Sequence, residues 1–432
     1  MNCDFLIVGA GIAGMNLALK IKKNFKDKSV LVIDSSNIFG GRIQTIYENN
    51  YEFESGAARF HDGHVNFIDI LKRYNLLDLR VDIPSSWEVK YLGRKYSSKF
   101  KTVDNLINNI LRKYKKINKK TKKYLITKNL YEVCEELYGK KEADFLSFSH
   151  PYYSELFILN AYDAINLFRS DLNEDYKFYI LKGGLSQVTN SLFIDSKYSK
   201  IKFKFNTVLK KSSYDEDTKK FTSIFSDIDD NEVKIESSNL IYAIDGKGFK
   251  EQNLNSFDKY LINKDYTFKD LQDSLDVQPL LRTYAKYKKG KDVLWADKIK
   301  KTVTNDKIRF VVPIGNGVVM VSYTDGRFAK YWYNKMTTYT QKELIHKTLN
   351  KLFPGEKISD HPLFFKNYYW PQGASYWKKN VDSDVLTQIY KNPTSINFYI
   401  CGSSYSKRQA WMEGALESSN SVYEEILLNS LK

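Results

Sequence analysis

The feature that most limits what this chain can fold into lies at its start. An apolar run, Phe5-Leu6-Ile7-Val8, passes directly into Gly9, Gly11 and Gly14, and a second apolar run, Val30-Leu31-Val32-Ile33, ends in Asp34, twenty residues after Gly14. Each part has a physical job. Gly9 permits a tight turn, Gly11 leaves room for a pyrophosphate to approach the backbone, and Gly14 lets the following helix pack closely on the strand. The helix N-terminus, with Ile12 and Ala13 in its first turn, offers free N–H groups and a partial positive charge to phosphates. Asp34 accepts hydrogen bonds from a ribose diol, with Ser35 beside it. Strand, turn, helix, strand and acid in this register predict a dinucleotide-binding unit.

The chain of 432 residues is long enough for two or three domains or one large two-domain enzyme. Its hydrophobic content of 42% excludes a disordered chain. No apolar run reaches about 18 residues, so no membrane-spanning helix is expected. Asp4 precedes the first apolar run and no basic segment leads it, which argues against a secretory signal. Cys3, Cys134 and Cys401 are odd in number and widely spaced, which suits a reducing, intracellular compartment rather than a disulfide framework. The net charge of +16 is uneven, since nine of the eighteen residues from Leu111 to Lys128 are Lys or Arg. Two readings are open for residues 111–128: a docking surface for an anionic partner, or a solvated helix face, the usual fate of such runs.

Periodicity orders the rest. Gly14, Ala18, Ile21 and Phe25 share one face of the first helix, and His64–Tyr74 repeats as a helix through Phe67, Ile70 and Leu71. Residues from about Phe100 to Phe168 read as mostly helical, interrupted at His150-Pro151. Ile201–Lys211, Phe221–Phe225 and Leu240–Ile244 read as strands, with a helix over Ser186–Phe193 before them. Leu280–Lys288 and Ile308–Tyr323 predict a second sheet, with a hairpin at Gly315-Asn316-Gly317. Asn397–Gly402 and Ala410–Leu428 are a last strand and a last helix. Nucleotide-binding signals at both ends and near the middle predict an α/β protein. A Rossmann-type domain is built from the discontinuous segments 1–65, 183–275 and 390–432. An inserted mixed-sheet and helical domain spans 66–182 and 276–389, largely helical over 101–182.

On these residues the chain resembles the flavin-containing amine oxidases, the family of monoamine, polyamine and L-amino acid oxidases. The resemblance runs in order through Gly9–Gly14, Asp34, Gly40-Gly41-Arg42 and Gly56-Ala57-Ala58-Arg59-Phe60. It continues through Lys182-Gly183-Gly184-Leu185, Tyr399-Ile400-Cys401-Gly402 and the block from Gln409 to Ser418, which holds Trp411-Met412-Glu413-Gly414-Ala415. It implies FAD as cofactor, the discontinuous domain binding it and the inserted domain binding substrate. Gly41, Arg42, Ala58 and Arg59 would contact the cofactor from the two loops, and Val208 the adenine. Gly402 and Ser403 would meet the pyrophosphate or ribityl chain, and Trp411, Met412 and Ala415 the flavin ring. Arg42 after two glycines can fork onto phosphate oxygens.

The resemblance also implies the substrate side. Arg59 is the arginine that binds a substrate carboxylate in amino acid oxidases, which makes it a substrate-binding as well as a cofactor-binding candidate. Trp370, Gly373, Tyr376 and Tyr405 are candidates for an aromatic wall before the flavin, Trp370 and Tyr405 as catalytic residues. Arg282 stands where the family places a lysine, and is the third catalytic candidate. Gln372-Gly373-Ala374-Ser375 lacks the cysteine of the covalent flavoenzymes, so non-covalent FAD is expected, and valines at Phe310-Val311-Val312 replace a carboxylate-assisting tyrosine. His61 and His64 have a spacing seen in metal sites, but they read as ordinary helix-entry residues and no metal is expected. The expected activity is oxidation of the C–N bond of an amine or α-amino acid, with O2 as acceptor and hydrogen peroxide as product. The rival readings are a desaturase or mutase on the same fold, and an FAD-retaining binding protein with a basic docking surface.

Overall fold

A computed structural model describes residues 1–48, 51–172, 176–288, 295–336, 339–356, 358–359 and 361–431. Asn2–Val8 and Val30–Ile33 are strands paired in parallel from Phe5↔Val30 to Val8↔Ile33, and Ile12–Asn24 is the helix that joins them. Their side chains from Phe5 to Val8 and from Val30 to Ile33 are all buried, the pattern of a parallel sheet covered on both faces.

Two compact units result. The first comprises Met1–Ile83, Tyr176–Asp276 and Asp382–Lys432, and the second Pro84–Asp175 and Val277–Val381. The first unit therefore takes in 66–83, 176–182 and 382–389, which the sequence pattern gives to the insertion. The reason is packing. Phe178–Leu181 pairs with both Phe60–His61 and Arg80–Ile83 in a small antiparallel sheet. The helix Val65–Arg73 buries Phe67, Ile70 and Leu71 in the same core as Leu416, Val422 and Ile426 of the last helix, Met412–Ser430.

The main sheet of the first unit has the order Val208–Asp215, Lys220–Ser226, Glu232–Tyr242, Asn2–Val8, Val30–Ile33 and Lys202–Lys204. Glu232–Tyr242 serves two neighbours on one edge. Its first half pairs antiparallel with Lys220–Ser226, and its end pairs in parallel with Phe398–Ile400. The single strand expected over Ile201–Lys211 is two. Lys202–Lys204 pairs with Val30–Ile33, whereas Val208–Asp215 pairs with Lys220–Ser226. Asn206, at φ +50°, breaks the run, and the Asn206 and Thr207 N–H groups donate to Ser36 and Asp34 carbonyls. A short polar residue tolerates that left-handed turn.

The second unit combines a six-stranded sheet with helices. Its strand order is Phe364–Trp377, Leu275–Lys286, Val318–Asp325, Phe310–Gly315, Thr302–Thr304 and Glu88–Lys90. The hairpin at Gly315-Asn316-Gly317 turns with all three residues at positive φ. Between 103 and 170 lie six helices, from Val103–Lys113 to Ala161–Ser170. Side chains start several of them: Thr102, Asn118, Asn129 and Asn160 each accept an N–H of the first turn, and Asn129 forms a capping box with Glu132. His150 ends its helix in an extended conformation, as required before Pro151. A separate core of Leu281, Val311, Val319, Val321, Trp332, Ile345 and Leu349 lies between this sheet and its helices. Among the described residues no helix is long and apolar enough to cross a membrane.

Candidate functional site

The three glycines of the first loop differ in what surrounds them. Gly9 sits at φ +117°, and a Cβ there would lie 2.4 Å from the Ala243 carbonyl oxygen. A Cβ on Gly14 would lie 2.0 Å from the Gly9 carbonyl oxygen, so the helix can close on the loop only without a side chain. At Gly11 a Cβ would meet nothing within 4 Å. Nothing in the protein demands a glycine there, and the space above it suits an approaching phosphate. Gly11 is also the N-cap of Ile12–Asn24, a helix with no acidic residue in its first turn and no side-chain cap, so its N–H end remains receptive to an anion. The second glycine pair lies against this loop: the Gly40 N–H donates to Ala10 O at 2.9 Å, and Gly41 approaches Gly11 Cα. Gly56 then packs on Arg42, where a Cβ would lie 1.9 Å from the Arg42 carbonyl oxygen, and the Ala57 N–H donates to that oxygen at 2.8 Å. Ala58 and Arg59 follow directly, both half-buried.

Asp34 closes one end of the loop. Its Oδ2 accepts the Ala10 N–H at 2.7 Å and its Oδ1 the Ser36 N–H at 2.8 Å. Burial raises its pKa above the usual value of 3.8, against the lowering effect of those two hydrogen bonds. The Thr207 N–H donates to the Asp34 carbonyl at 3.0 Å, which sets Val208 beside this corner. Val208 is 43% exposed, so it is not a core valine. Ser35 is exposed at the same corner.

At the other end, Arg42 Nη2 donates to Ser403 Oγ at 3.0 Å. Gly402 precedes it at φ +138°, with its N–H donating to Ser418 Oγ at 3.2 Å. The last helix begins at Met412, with Trp411 as its N-cap and no side chain capping it. Met412 and Ala415 are buried, and Gly414 is forced by contact, since a Cβ would lie 2.0 Å from the Arg408 carbonyl oxygen. The Arg59 guanidinium lies over two aromatic faces, 5.0 Å from the Phe178 centroid and 5.6 Å from that of Trp411. His64 is the N-cap of Val65–Arg73, its ring tilted against that of His61 with centroids 3.6 Å apart and 4.9 Å from that of Trp411. Arg59 and Trp411 are thus brought together at the start of the last helix.

Tyr405 corrects the sequence reading of an aromatic wall. Its ring is buried against Phe249 and Tyr390, and its hydroxyl donates to the carbonyls of Ile244, at 3.0 Å, and Asp245, at 3.3 Å. It braces the turn after Glu232–Tyr242. The sequence could not show this, because the partners are backbone atoms 160 residues away.

The remaining candidates belong to the second unit. Arg282 is buried, its guanidinium 4.7 Å from the Tyr323 ring centroid. Burial opposes its charge, but Tyr323, Tyr284 and Tyr152 outweigh that and raise its pKa. Trp370, Gly373 and Tyr376 lie on the strand Phe364–Trp377. Trp370 is half-buried. Gly373 is explained by packing, since a Cβ would lie 2.4 Å from Leu280 Cβ on the neighbouring strand. Tyr376 is buried, and its pKa lies well above the tyrosine value, first through burial and then through Glu155 and Asp325. The valines matched to the family's tyrosine position are core residues: Val311 is fully buried and Val312 nearly so.

Sequence reasoning missed Glu413. It is fully buried, with Oε1 accepting the Asn66 N–H at 3.0 Å and Asn66 Nδ2 at 2.7 Å, and Oε2 accepting the Phe67 N–H at 2.9 Å. A carboxylate in the first turn of a helix reads as an ordinary helix-start residue. Only the fold reveals that it caps a second helix.

A family model for flavin-containing amine oxidoreductases matches residues 12–427. The chain belongs to this family. Its fold is that of a putrescine oxidase. The wild-type structure bound to putrescine covers 99% of both chains at a TM-score of 0.77 and 14% identity, and a single-residue variant gives 0.77 at 15%. Over a stretch of 74 residues the chain is 36% identical to the prenylcysteine oxidase 1-like proteins of Mus musculus and Homo sapiens. Over 86 residues it is 30% identical to an uncharacterized protein of Acanthamoeba polyphaga mimivirus. These stretches cover 17–18% of this chain and only 14–17% of those relatives. The family cofactor is FAD, and the residues of the first unit fit it. The open cradle at Gly11 and the uncapped helix behind it suit a diphosphate, and Asp34 retains lone pairs for a ribose diol.

Proposed function

We propose that this flavin-dependent oxidoreductase oxidises the C–N bond of an amine that carries a carboxylate, an α-amino acid being the simplest case. The observation that carries this reading is Arg59, held over Phe178 and Trp411 beside the start of the last helix. A guanidinium pinned between aromatic faces keeps its donors in a fixed plane, which favours a bidentate carboxylate over a simple amine.

In this reading Gly11 and Arg42 would hold the diphosphate of FAD, Asp34 its ribose, Val208 its adenine, and Trp411 and Met412 its ring. When bound, FAD supplies a hydride acceptor for the carbon next to nitrogen and a route for two electrons to O2, with hydrogen peroxide as product and the imine left to hydrolysis by water. The protein orients the substrate through Arg59 and uses aromatic surface such as that of Trp411 to exclude water. The N–H end of the last helix favours negative charge at the ring. Attachment of FAD is non-covalent. The stretch Gln372-Gly373-Ala374-Ser375 holds no cysteine, and burial pushes the thiols of Cys3, Cys134 and Cys401 up to about 12, which disfavours the reactive thiolate. Three free cysteines also support a reducing compartment.

The test is a panel of amines and amino acids scored by peroxide release, run on the wild type and Arg59→Ala. The expected result is turnover of carboxylate-bearing amines, with KM for them raised about 10- to 100-fold in the variant by loss of a charge-assisted pair. Equal effects on simple amines and amino acids would assign Arg59 to the scaffold.

A further inference from the structure

Glu413 belongs to a polar network that the proposed chemistry leaves unused. Asn66, which donates to Glu413 through both its N–H and its side-chain amide, accepts a hydrogen bond from Asn420 Nδ2 at 2.8 Å. Asn420 Oδ1 in turn accepts from Asn16 Nδ2 at 3.0 Å, and Asn16 also donates to Ser419 Oγ at 3.0 Å. Five side chains thus join three helices. Asn16 lies on Ile12–Asn24 behind the glycine loop, Asn66 on Val65–Arg73 after the Arg59 block, and Glu413 and Asn420 on Met412–Ser430.

All three groups around Glu413 are N–H donors, so its carboxyl acts as an acceptor only, the role of an ionised carboxylate. It lies in the first turn of the last helix and caps the first turn of Val65–Arg73. Two partly positive helix ends therefore share one buried negative charge. That placement has two consequences. Mechanically, it fixes the start of Val65–Arg73, and with it His64 and His61, whose rings pack against Trp411. Electrostatically, it offsets the positive end of the helix that faces the flavin ring, which disfavours the extra negative charge of the reduced cofactor.

We propose that Glu413 is a positioning residue for the flavin end of the site: it sets the electron affinity of bound FAD and the seat of the Trp411 wall. This rests on the reading that the ring lies beside the last helix, but not on the identity of the substrate.

The experiment uses the full-length FAD-loaded protein and no substrate. Wild type, Glu413→Gln and Asn66→Ala are compared by FAD retention and by redox titration of the flavin absorbance. In Glu413→Gln the affinity for reduced relative to oxidised FAD rises about tenfold, seen as an upward shift of the midpoint potential. Its retention of oxidised FAD stays within about threefold, because the Gly11, Asp34 and Arg42 contacts are untouched. Asn66→Ala loses a contact but no charge and leaves the potential in place. A Glu413→Gln protein that melts earlier with an unchanged potential would overturn the proposal and leave Glu413 a plain helix cap. Should Glu413→Gln fail to fold, Glu413→Asp keeps the charge on a shorter arm. It is expected to hold the affinity ratio within about threefold, and a tenfold shift there would equally overturn the proposal. A wild-type protein that takes up no FAD refutes the reading of the site itself, whereas a wild type that holds FAD beside an unmoved variant refutes this inference alone.

Discussion

Replacing Gly11 and Gly14 separately by alanine distinguishes a loop built for a ligand from a loop built for the fold. At Gly14 the added methyl would lie 2.0 Å from a backbone oxygen, and no rotamer change can move that atom. The helix must shift away from the strand, at a cost of about 3 kcal/mol or more. At Gly11 the methyl enters open space, and φ −75°, ψ 178° is a conformation alanine adopts freely. The stability of the FAD-free protein is then expected to change by less than about 1 kcal/mol, with a small gain from the stiffer unfolded chain. The same methyl occupies the space proposed for the diphosphate. Loss of one charge-assisted hydrogen bond there costs about 1.5–3 kcal/mol, or roughly 10- to 150-fold in FAD affinity. The assay is thermal unfolding of both variants stripped of FAD, followed by titration with FAD monitored by flavin fluorescence quenching. A Gly11→Ala protein that binds FAD like the wild type, or that is destabilised as much as Gly14→Ala, would refute the reasoning.

Three further outcomes are expected. Asp34→Asn removes a carboxylate whose pKa is raised by burial, so the FAD-free wild type loses stability relative to the variant as pH rises from about 4 through the raised value; parallel pH-stability curves would contradict this. Arg282→Lys restores the amine that the family pattern places in this strand and is expected to speed reoxidation of the reduced enzyme by O2 in stopped-flow measurements; an unchanged rate would remove Arg282 from the oxygen reaction. Arg112, Lys113, Lys115, Lys116, Lys119, Lys120 and Lys123 are all exposed, whereas Lys128 pairs with Glu136 at 2.6 Å. Changing Lys115, Lys116, Lys119 and Lys120 to Gln is therefore expected to lower the salt needed to elute the protein from heparin, with turnover unchanged; an unaltered elution would make this stretch a solvated face.

The glycine loops were legible in sequence because their constraints are local. Gly9, Gly14, Gly40 and Gly56 are fixed by contacts of main chain with main chain, and such contacts leave glycines at set spacings. The apolar runs at Phe5–Val8 and Val30–Ile33 read correctly for the same reason, being buried on both faces. What escaped depends on distant backbone. Tyr405 resembles a wall aromatic until its hydroxyl is found on two carbonyls at Ile244 and Asp245. Gly373 resembles part of an active-site motif until Leu280 is found against it. The break at Asn206 was hidden inside a run of strand-forming residues, because a single left-handed residue leaves no mark on hydrophobic periodicity. Strands as short as Phe60–His61 and Glu88–Lys90 carry too few residues to show alternation at all.

Gentle purification of the full chain, followed by denaturation and analysis of the supernatant, tests the central claim most directly. The account predicts a yellow protein that releases stoichiometric, intact FAD on unfolding and recovers its colour when refolded with added FAD. Well-folded, colourless protein that takes up none, or a flavin that stays attached to the denatured chain, would contradict it.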